Sequence, residues 1–162
     1  MAWHIRLNCN NAVKKLQQMG KLVVFDKTKV HVYIPNGSHL DVYGRTMPVS
    51  RLVSILVNGT ETIPPRPFTT DAGRDLNSQL LQLFHQAIKY RHINSTSVLI
   101  TFDADSLGQS AELMIKRWLF DGSYYKAVCP NAASTIRRKG SDVPLVETGR
   151  LVRSITYKVV TQ

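Results

Sequence analysis

Two histidines are the best-spaced candidates for a metal site in this chain. His85 and His92 lie seven positions apart, so a helix would place both on one face, where they could bind the same metal ion. No acidic residue or cysteine lies at a matching spacing. We therefore predict no metal site at this pair, and we expect histidines at the surface or at the edge of the core.

The acidic run from Asp103 to Ser106 is a second candidate metal site. It departs from the calcium-loop pattern because Leu107 occupies the fifth position, although Gly108 occupies the sixth. We predict instead that Asp105 or Ser106 caps a helix. The other carboxylates that a nuclease could use are predicted at helix starts, where negative charge is favourable to the helix dipole: Asp71, Asp75 and Glu112.

The common catalytic motifs are missing from the sequence. It contains no GxSxG elbow, no HExxH pair, no phosphate-binding GxxxxGK[ST] loop and no dinucleotide fingerprint. We therefore expect a protein without enzymatic activity, with no catalytic residue, no bound metal and no cofactor.

Positive charge is the strongest feature of the composition. The 21 lysines and arginines outnumber the 11 acidic residues, so the net charge is +10, and the excess lies towards both ends of the chain. Such a charge favours nucleic acid, an acidic protein surface or an anionic membrane as a partner, although a solvated surface explains it equally well. Tyr124, Tyr125 and Lys126 could stack on single-stranded nucleic acid, but a protein interface fits that segment better.

Length and composition indicate one globular domain. The 162 residues, 43% hydrophobic and 20% charged, are enough to bury a core without metals or disulfides. Cys9 and Cys129 form no metal-binding spacing, and we expect two reduced thiols. No apolar run approaches the length that spans a bilayer, and the first residues lack a secretory layout, so we expect no membrane partner.

Strand patterns stand at both ends of the chain. Residues 3–7 alternate apolar and polar side chains, and residues 21–26 and 29–34 predict a β-hairpin. A last alternating strand is predicted near the C-terminus. The apolar residues expected to build the sheet are Val30, Val32, Ile34, Ile155, Tyr157 and Val159.

Helical periodicity lies mainly between these strands. The spacing of apolar residues predicts helices over 12–19, 48–58, 70–91 and 106–120, and the one over 70–91 is expected to be the longest. The run from 98 to 102 fits a strand or the start of the next helix. The pattern therefore predicts an α/β protein of the α+β kind, a single domain over 1–162 in which a small antiparallel or mixed sheet packs against three or more helices.

Three segments are predicted to be extended arms, over 38–47, 63–68 and 123–142. In the second, the prolines remove backbone donors and hold the chain extended, so that Arg66 is presented at low entropic cost to an ion pair or a partner subunit. The alternative is a rigid linker that packs Phe68 in the core and leaves Arg66 in water. Near the C-terminus, a turn into the last strand is predicted at Gly140, Thr148 and Gly149, where Thr148 caps one helical turn.

Two blocks of sequence resemble a known family. They are IPPRPF at 63–68 and the segment from Pro130 to Tyr157, which contains IRRKG, PLVETGRL and SITY. Both resemble the neck and tail-completion proteins of long-tailed double-stranded DNA bacteriophages, and with their spacing they cover most of the chain. Neither block is a catalytic signature.

The resemblance implies a structural virion protein, made in the host cytoplasm and placed at the neck, or top of the tail. Copies would form a ring, six in line with tail symmetry, between the connector and the tail tube or terminator. A ring subunit needs two different complementary patches. The candidate interface residues are Pro64, Pro65, Arg66, Pro67, Phe68, Tyr124, Tyr125, Arg137, Arg138 and Lys139.

Arg150 and Arg153 are the candidate contacts to an acidic partner or to DNA in the channel. On this reading, Arg66→Ala should leave the monomer folded and block particle completion. The alternatives are a basic DNA-binding module that acts in packaging or assembly, and a tail-tube or terminator subunit of a different fold.

Overall fold

The computed structural model describes residues 4–7, 23–24, 28–40, 44–92 and 98–161. The protein has an α+β fold, as predicted. Its strands are β1 (His4–Leu7), β2 (Val23–Val24), β3 (Thr28–Tyr33), β4 (Ser38–Leu40), β5 (Thr46–Pro48), β6 (Ile88–His92), β7 (Val98–Phe102) and β8 (Thr156–Thr161). Its helices are α1 (Val49–Asn58), α2 (Phe68–Ser78), α3 (Leu80–Ala87), α4 (Ala104–Asp121), α5 (Ser123–Val128), α6 (Ala133–Lys139) and α7 (Arg150–Ser154).

An antiparallel sheet of order β1-β3-β8 carries one side of the core. In its register Val30 is opposite Val159 and Val32 is opposite Tyr157. Val30 and Val32 are buried because alternate side chains of a strand point to the same face. Of the predicted sheet residues, Val30, Val32, Tyr157 and Val159 are confirmed in strands, whereas Ile34, just beyond β3, and Ile155, just before β8, are buried beside the sheet but lie outside its strands.

Helix α4 packs on this sheet and is the longest helix in the described part of the chain. Its buried residues recur at helical spacing: Leu107, Gly108, Ala111, Ile115 and Leu119. The helix begins at Ala104, and Asp103 caps it by accepting a hydrogen bond from the backbone N–H of Ser106 at 3.1 Å. The predicted cap at Asp105 or Ser106 is therefore wrong, because an earlier aspartate reaches the free N–H.

The predicted hairpin of 21–26 with 29–34 is wrong. Strand β3 is the central strand of its sheet, with β1 on one side and β8 on the other, so neither edge is open to β2. Strand β2 instead pairs in parallel with β7, where Val23 is opposite Ile100. This pairing joins residues far apart in sequence, which local patterns do not report. It also places 98–102 in a strand, resolving the alternatives left by the periodicity.

The predicted long helix over 70–91 is interrupted and ends early. Gln79 breaks it between α2 and α3, and the chain becomes strand β6 at Ile88. Pairing of β6 with β7 accounts for the early end, since Ile88 lies opposite Phe102 and the ring of Phe102 stacks on Phe84 at 5.0 Å. His85 lies on a helix and His92 on a strand, so the two do not share a helical face.

The predicted arm over 38–47 is a paired structure in its described part. Strands β4 and β5 form an antiparallel pair that leads directly into α1. Helix α1 confirms the prediction over 48–58. The predicted helix over 12–19 and Cys9 lie outside the described residues, whereas Cys129 is a free, half-buried thiol.

Candidate binding cleft

The proline-rich segment after α1 folds back along the end of that helix. The backbone N–H of Arg66 donates to Leu56 O at 2.9 Å, and a tight turn joins Thr60 N to Ile63 O at 2.8 Å. Pro64 and Pro65 are exposed, as is expected of residues that have no N–H to offer a neighbour. The segment is therefore extended, as predicted, but it is fixed against its own chain.

Arg66 connects this segment to the loop between α5 and α6. Only 6% of the residue is exposed. Its Nε donates to Cys129 O at 3.1 Å, and its Nη2 donates to Pro130 O at 3.1 Å and to Asn131 Oδ1 at 3.4 Å. The interpretation that leaves Arg66 in water is therefore wrong. Arg66 is held by its own chain through Nε and Nη2, and Nη1 is the one guanidinium nitrogen that binds no described residue.

Two other candidate interface residues are also buried in the chain. Phe68 is 1% exposed and belongs to the core. Tyr125 is 3% exposed, and its hydroxyl donates to Asp71 Oδ2 at 2.6 Å. Burial and this hydrogen bond raise the pKa of Tyr125 above its ordinary value. The side chains of Phe68 and Tyr125 are not available to a partner, so the interface prediction is wrong for them. The alternative that packs Phe68 in the core is confirmed.

The predicted arm over 123–142 is mostly helical. It contains α5 and α6, and Arg66 binds the short connection between them. Tyr124 remains exposed, with its ring packed at 5.6 Å from that of Trp118. Asn131 Nδ2 also donates to Asp142 O at 3.1 Å, which holds the middle of the segment to its C-terminal end. Local hydrogen bonding therefore replaces the projecting loop that the sequence suggested.

The glycine-containing turn before β8 is confirmed, but the predicted cap at Thr148 is wrong, because Gly149 is the N-cap of α7 and no described side chain caps that helix. Gly140 ends α6 and Gly149 precedes α7, both with positive φ, of 69° and 70°, which a side chain would disfavour. The hydroxyl of Thr148 accepts a hydrogen bond from Arg150 N at 3.4 Å, and the guanidinium of Arg153 donates to Thr148 O. These contacts fix the direction in which the chain enters the last strand.

A cleft of about 480 Å³ lies between the proline-rich segment and the region from α6 to α7. Helix α1 contributes Leu52 and Leu56 to its lining. The other lining residues are His39, Thr62, Ile63, Pro64, Arg66, Pro130, Asn131, Ala132, Thr135, Arg138, Lys139, Leu145, Val146, Glu147, Thr148, Gly149, Arg150 and Leu151. This volume is within the range of sites that bind small molecules or short peptide segments.

The charged part of the lining is mainly basic. Glu147 is its one carboxylate among the described residues, and its Oε1 accepts from Arg138 Nη1 at 2.7 Å. Lys139 Nζ donates to Val143 O at 2.6 Å. Burial lowers the pKa of Lys139, Glu147 opposes this shift, and the nearby guanidinium of Arg66 adds to it. Among the described residues, the lining of the cleft therefore carries more cationic than anionic side chains.

Some predicted residues meet at the cleft and others do not. Its lining includes Pro64, Arg66, Arg138, Lys139, Thr148, Gly149 and Arg150. It does not include Pro65, Pro67, Phe68, Tyr124, Tyr125, Arg137, Gly140 or Arg153. Leu52 and Leu56 were not among the predicted site residues, because their apolar spacing predicted only a helix over 48–58. In the structure no residue of α1 is fully buried, because part of its apolar stripe faces the cleft.

Within the described ranges, no three metal-binding side chains come together, and no helix combines the length and apolar character needed to cross a bilayer. The chain matches no protein-family model, no curated protein and no solved structure.

Proposed function

We propose that this protein is a structural subunit of the head-to-tail junction of a long-tailed double-stranded DNA bacteriophage. Copies form a ring in the neck of the virion, between the connector and the tail tube or terminator. One observation carries the proposal. The two blocks on which the sequence resemblance rests are far apart in the chain, yet both line the same cleft.

A preformed cleft suits one half of a contact between ring subunits. Head-to-tail contacts need two different surfaces on each copy, and a surface that is rigid before assembly loses less entropy on binding. The hydrogen bonds of Arg66 supply this rigidity. Of the predicted interface residues, Pro64, Arg66, Arg138 and Lys139 line this cleft. Pro65, Pro67, Tyr124 and Arg137 lie outside it and remain predictions of the sequence resemblance.

Exposed apolar side chains on α4 and α5 offer a second surface. Leu113 and Phe120 lie two turns apart on α4, with 49% and 41% of each residue exposed, and Tyr124 and Val128 follow on α5. Large exposed apolar side chains that lie near each other are typical of protein interfaces. In the ring, this surface of one copy contacts its neighbour or the next protein along the particle axis.

A DNA-binding module acting in packaging or assembly is the alternative. The observation that favours it is the group of cations formed by Arg137, Arg138 and Lys139 in the last turn of α6, with Arg150 and Arg153 on α7. Binding to duplex DNA by such a group weakens steeply as salt rises, because each phosphate contact releases counterions. A ring subunit whose cations bind acidic proteins shows weak DNA binding at physiological salt.

Imaging the purified protein tests the proposal. Negative-stain micrographs and light scattering of the protein, alone and mixed with tails, should give closed rings and rings attached to one end of the tails. A protein that stays monomeric in both conditions and binds duplex DNA tightly would favour the alternative. A protein that binds neither tails nor DNA would contradict both.

A further inference from the structure

The guanidinium of Arg66 has unused hydrogen-bond donors. Its Nε and Nη2 bind oxygens of Cys129, Pro130 and Asn131, whereas Nη1 donates to no residue in the described part of the chain. Every fully buried side-chain nitrogen or oxygen in that part has a partner, so Nη1 must contact accessible space. Arg66 lines the cleft.

The charge of Arg66 is also uncompensated by any carboxylate among the described residues. The oxygens that bind it are two backbone carbonyls and one amide. A buried cation is stabilised most effectively by an anion, and arginine binds carboxylates through parallel hydrogen bonds. Besides Arg66, the described lining contains three basic residues, Arg138, Lys139 and Arg150, and one acidic residue, Glu147. The site is therefore complementary to an added negative charge.

The walls around this cationic centre are apolar. The lining includes Leu52 and Leu56 from α1, and Leu145, Val146 and Leu151 from the chain at and before α7. An occupant with apolar groups beside its anion fills such walls, whereas a nucleic-acid backbone presents phosphates and sugars without them. Charge and lining together favour an acidic peptide over DNA.

We propose that the cleft binds an extended segment of a partner polypeptide in which a carboxylate side chain is flanked by apolar residues. The carboxylate accepts hydrogen bonds from Arg66 Nη1, and Lys139 and Arg150 lie at the sides of the site. That the partner belongs to the phage junction rests on the proposed function. The chemistry of the segment rests on the cleft alone.

Selection from a library of random heptapeptides tests this proposal without knowledge of the partner. The immobilised protein should enrich peptides that share an aspartate or glutamate beside apolar residues. Enriched peptides, resynthesised with glutamine or asparagine in place of the acid, should bind at least about tenfold more weakly, the equivalent of one charge-assisted hydrogen bond. This comparison does not depend on the folding of any protein variant.

Protein variants locate the binding in the cleft. Arg150→Gln should weaken peptide binding by about tenfold. Glu147→Gln should strengthen it, because it removes the carboxylate that competes within the lining. Arg117→Gln is the matched control, since Arg117 is an exposed cation on α4 that does not line the cleft. Thermal melting of each variant checks that its fold is intact.

Three results would overturn the proposal: no peptide family is enriched, the enriched family lacks a conserved acid, or duplex DNA displaces the peptides while Glu147→Gln has no effect. A failure of this peptide-binding proposal can be distinguished from a failure of the proposed function. Rings without acidic-peptide binding would remove only this inference. Acidic-peptide binding by a protein that never joins tails would remove only the phage role.

Discussion

Replacing Arg66 by alanine should destabilise the fold. The substitution removes three hydrogen bonds from a charged donor, and such bonds contribute about 1.5 to 3 kcal/mol each when buried. Pro130 is exposed, and Cys129 and Asn131 are half-buried, so water can reach the acceptors and replace part of what is lost. We expect a loss of about 2 to 4 kcal/mol in the free energy of unfolding.

This loss is large enough to measure by two methods. In a protein of this length it corresponds to a fall of about 5 to 15 °C in the melting temperature. Urea unfolding should show a lower midpoint with an unchanged slope, because the variant exposes the same surface on unfolding. The sequence alone predicts that Arg66→Ala leaves the monomer folded, and the hydrogen bonds of Arg66 add the expectation that the folded monomer is less stable.

Two further variants make the test specific. Arg117→Ala removes an exposed arginine that forms no ion pair with any described residue, and it should change stability by less than about 0.5 kcal/mol. Arg66→Lys keeps the charge but lacks the planar fork of donors, so its loss should be intermediate. If Arg66→Ala unfolds at the same urea concentration as wild type, Arg66 does not hold the two segments together.

Three other substitutions test the fold that positions the cleft. Gly108→Ala should destabilise the fold by about 1 to 3 kcal/mol although alanine favours helices, because the added Cβ would lie 2.1 Å from the ring of Tyr157. Gly37→Ala is the control, since a Cβ added there would meet no atom within 4 Å. Equal melting temperatures for the two variants would contradict this packing. Asp103→Asn should lower the free energy of unfolding by about 1 kcal/mol at neutral pH. The reason is that hydrogen bonds from Lys89 and Ser106 hold the pKa of Asp103 below its ordinary value. A lowered pKa contributes stability above the unfolded value, so this difference should shrink as the pH falls below about 4, and a difference independent of pH in urea unfolding would refute it. Tyr125→Phe should cost about 1.5 to 3 kcal/mol by removing the hydrogen bond to a carboxylate, and calorimetry that finds no change would show that this bond contributes nothing.

The fold class and most of the elements could be predicted from the sequence because their signals are local. The alternation around Val32 and Tyr157 marks two strands with one buried face. The periodicity after Pro48 and after Asp103 marks two helices. In each case the residues that form the element also carry its pattern.

The errors arise where distant residues decide the structure. Strand β2 pairs with β7, more than seventy positions later, and the two-residue spacing before β3 predicted the wrong partner. The end of α3 depends on β7 in the same way, since Ile88 is apolar and fits a helix or a strand equally well. The pairing partner of a strand is decided only in the assembled fold, and so is the boundary between α3 and β6.

The candidate cleft was predictable only in part. Both of its segments stood out by composition, but the role of Arg66 was misassigned because its acceptors lie more than sixty positions away. Carbonyl oxygens have no sequence signature, so no local pattern could identify them. The contribution of α1 was also hidden, since a residue that lines a cleft and one that fills a core share the same apolar type.

Site-specific photo-crosslinking in assembled particles tests the central claim most directly. A photoreactive amino acid at Val146, inside the cleft, should form a covalent adduct with a neighbouring polypeptide, whether another copy or a junction protein. The same group at Gln86, which is exposed on α3 and does not line the cleft, should form little. Particles in which Val146 crosslinks to nothing, or finished virions that lack this chain, would contradict the account.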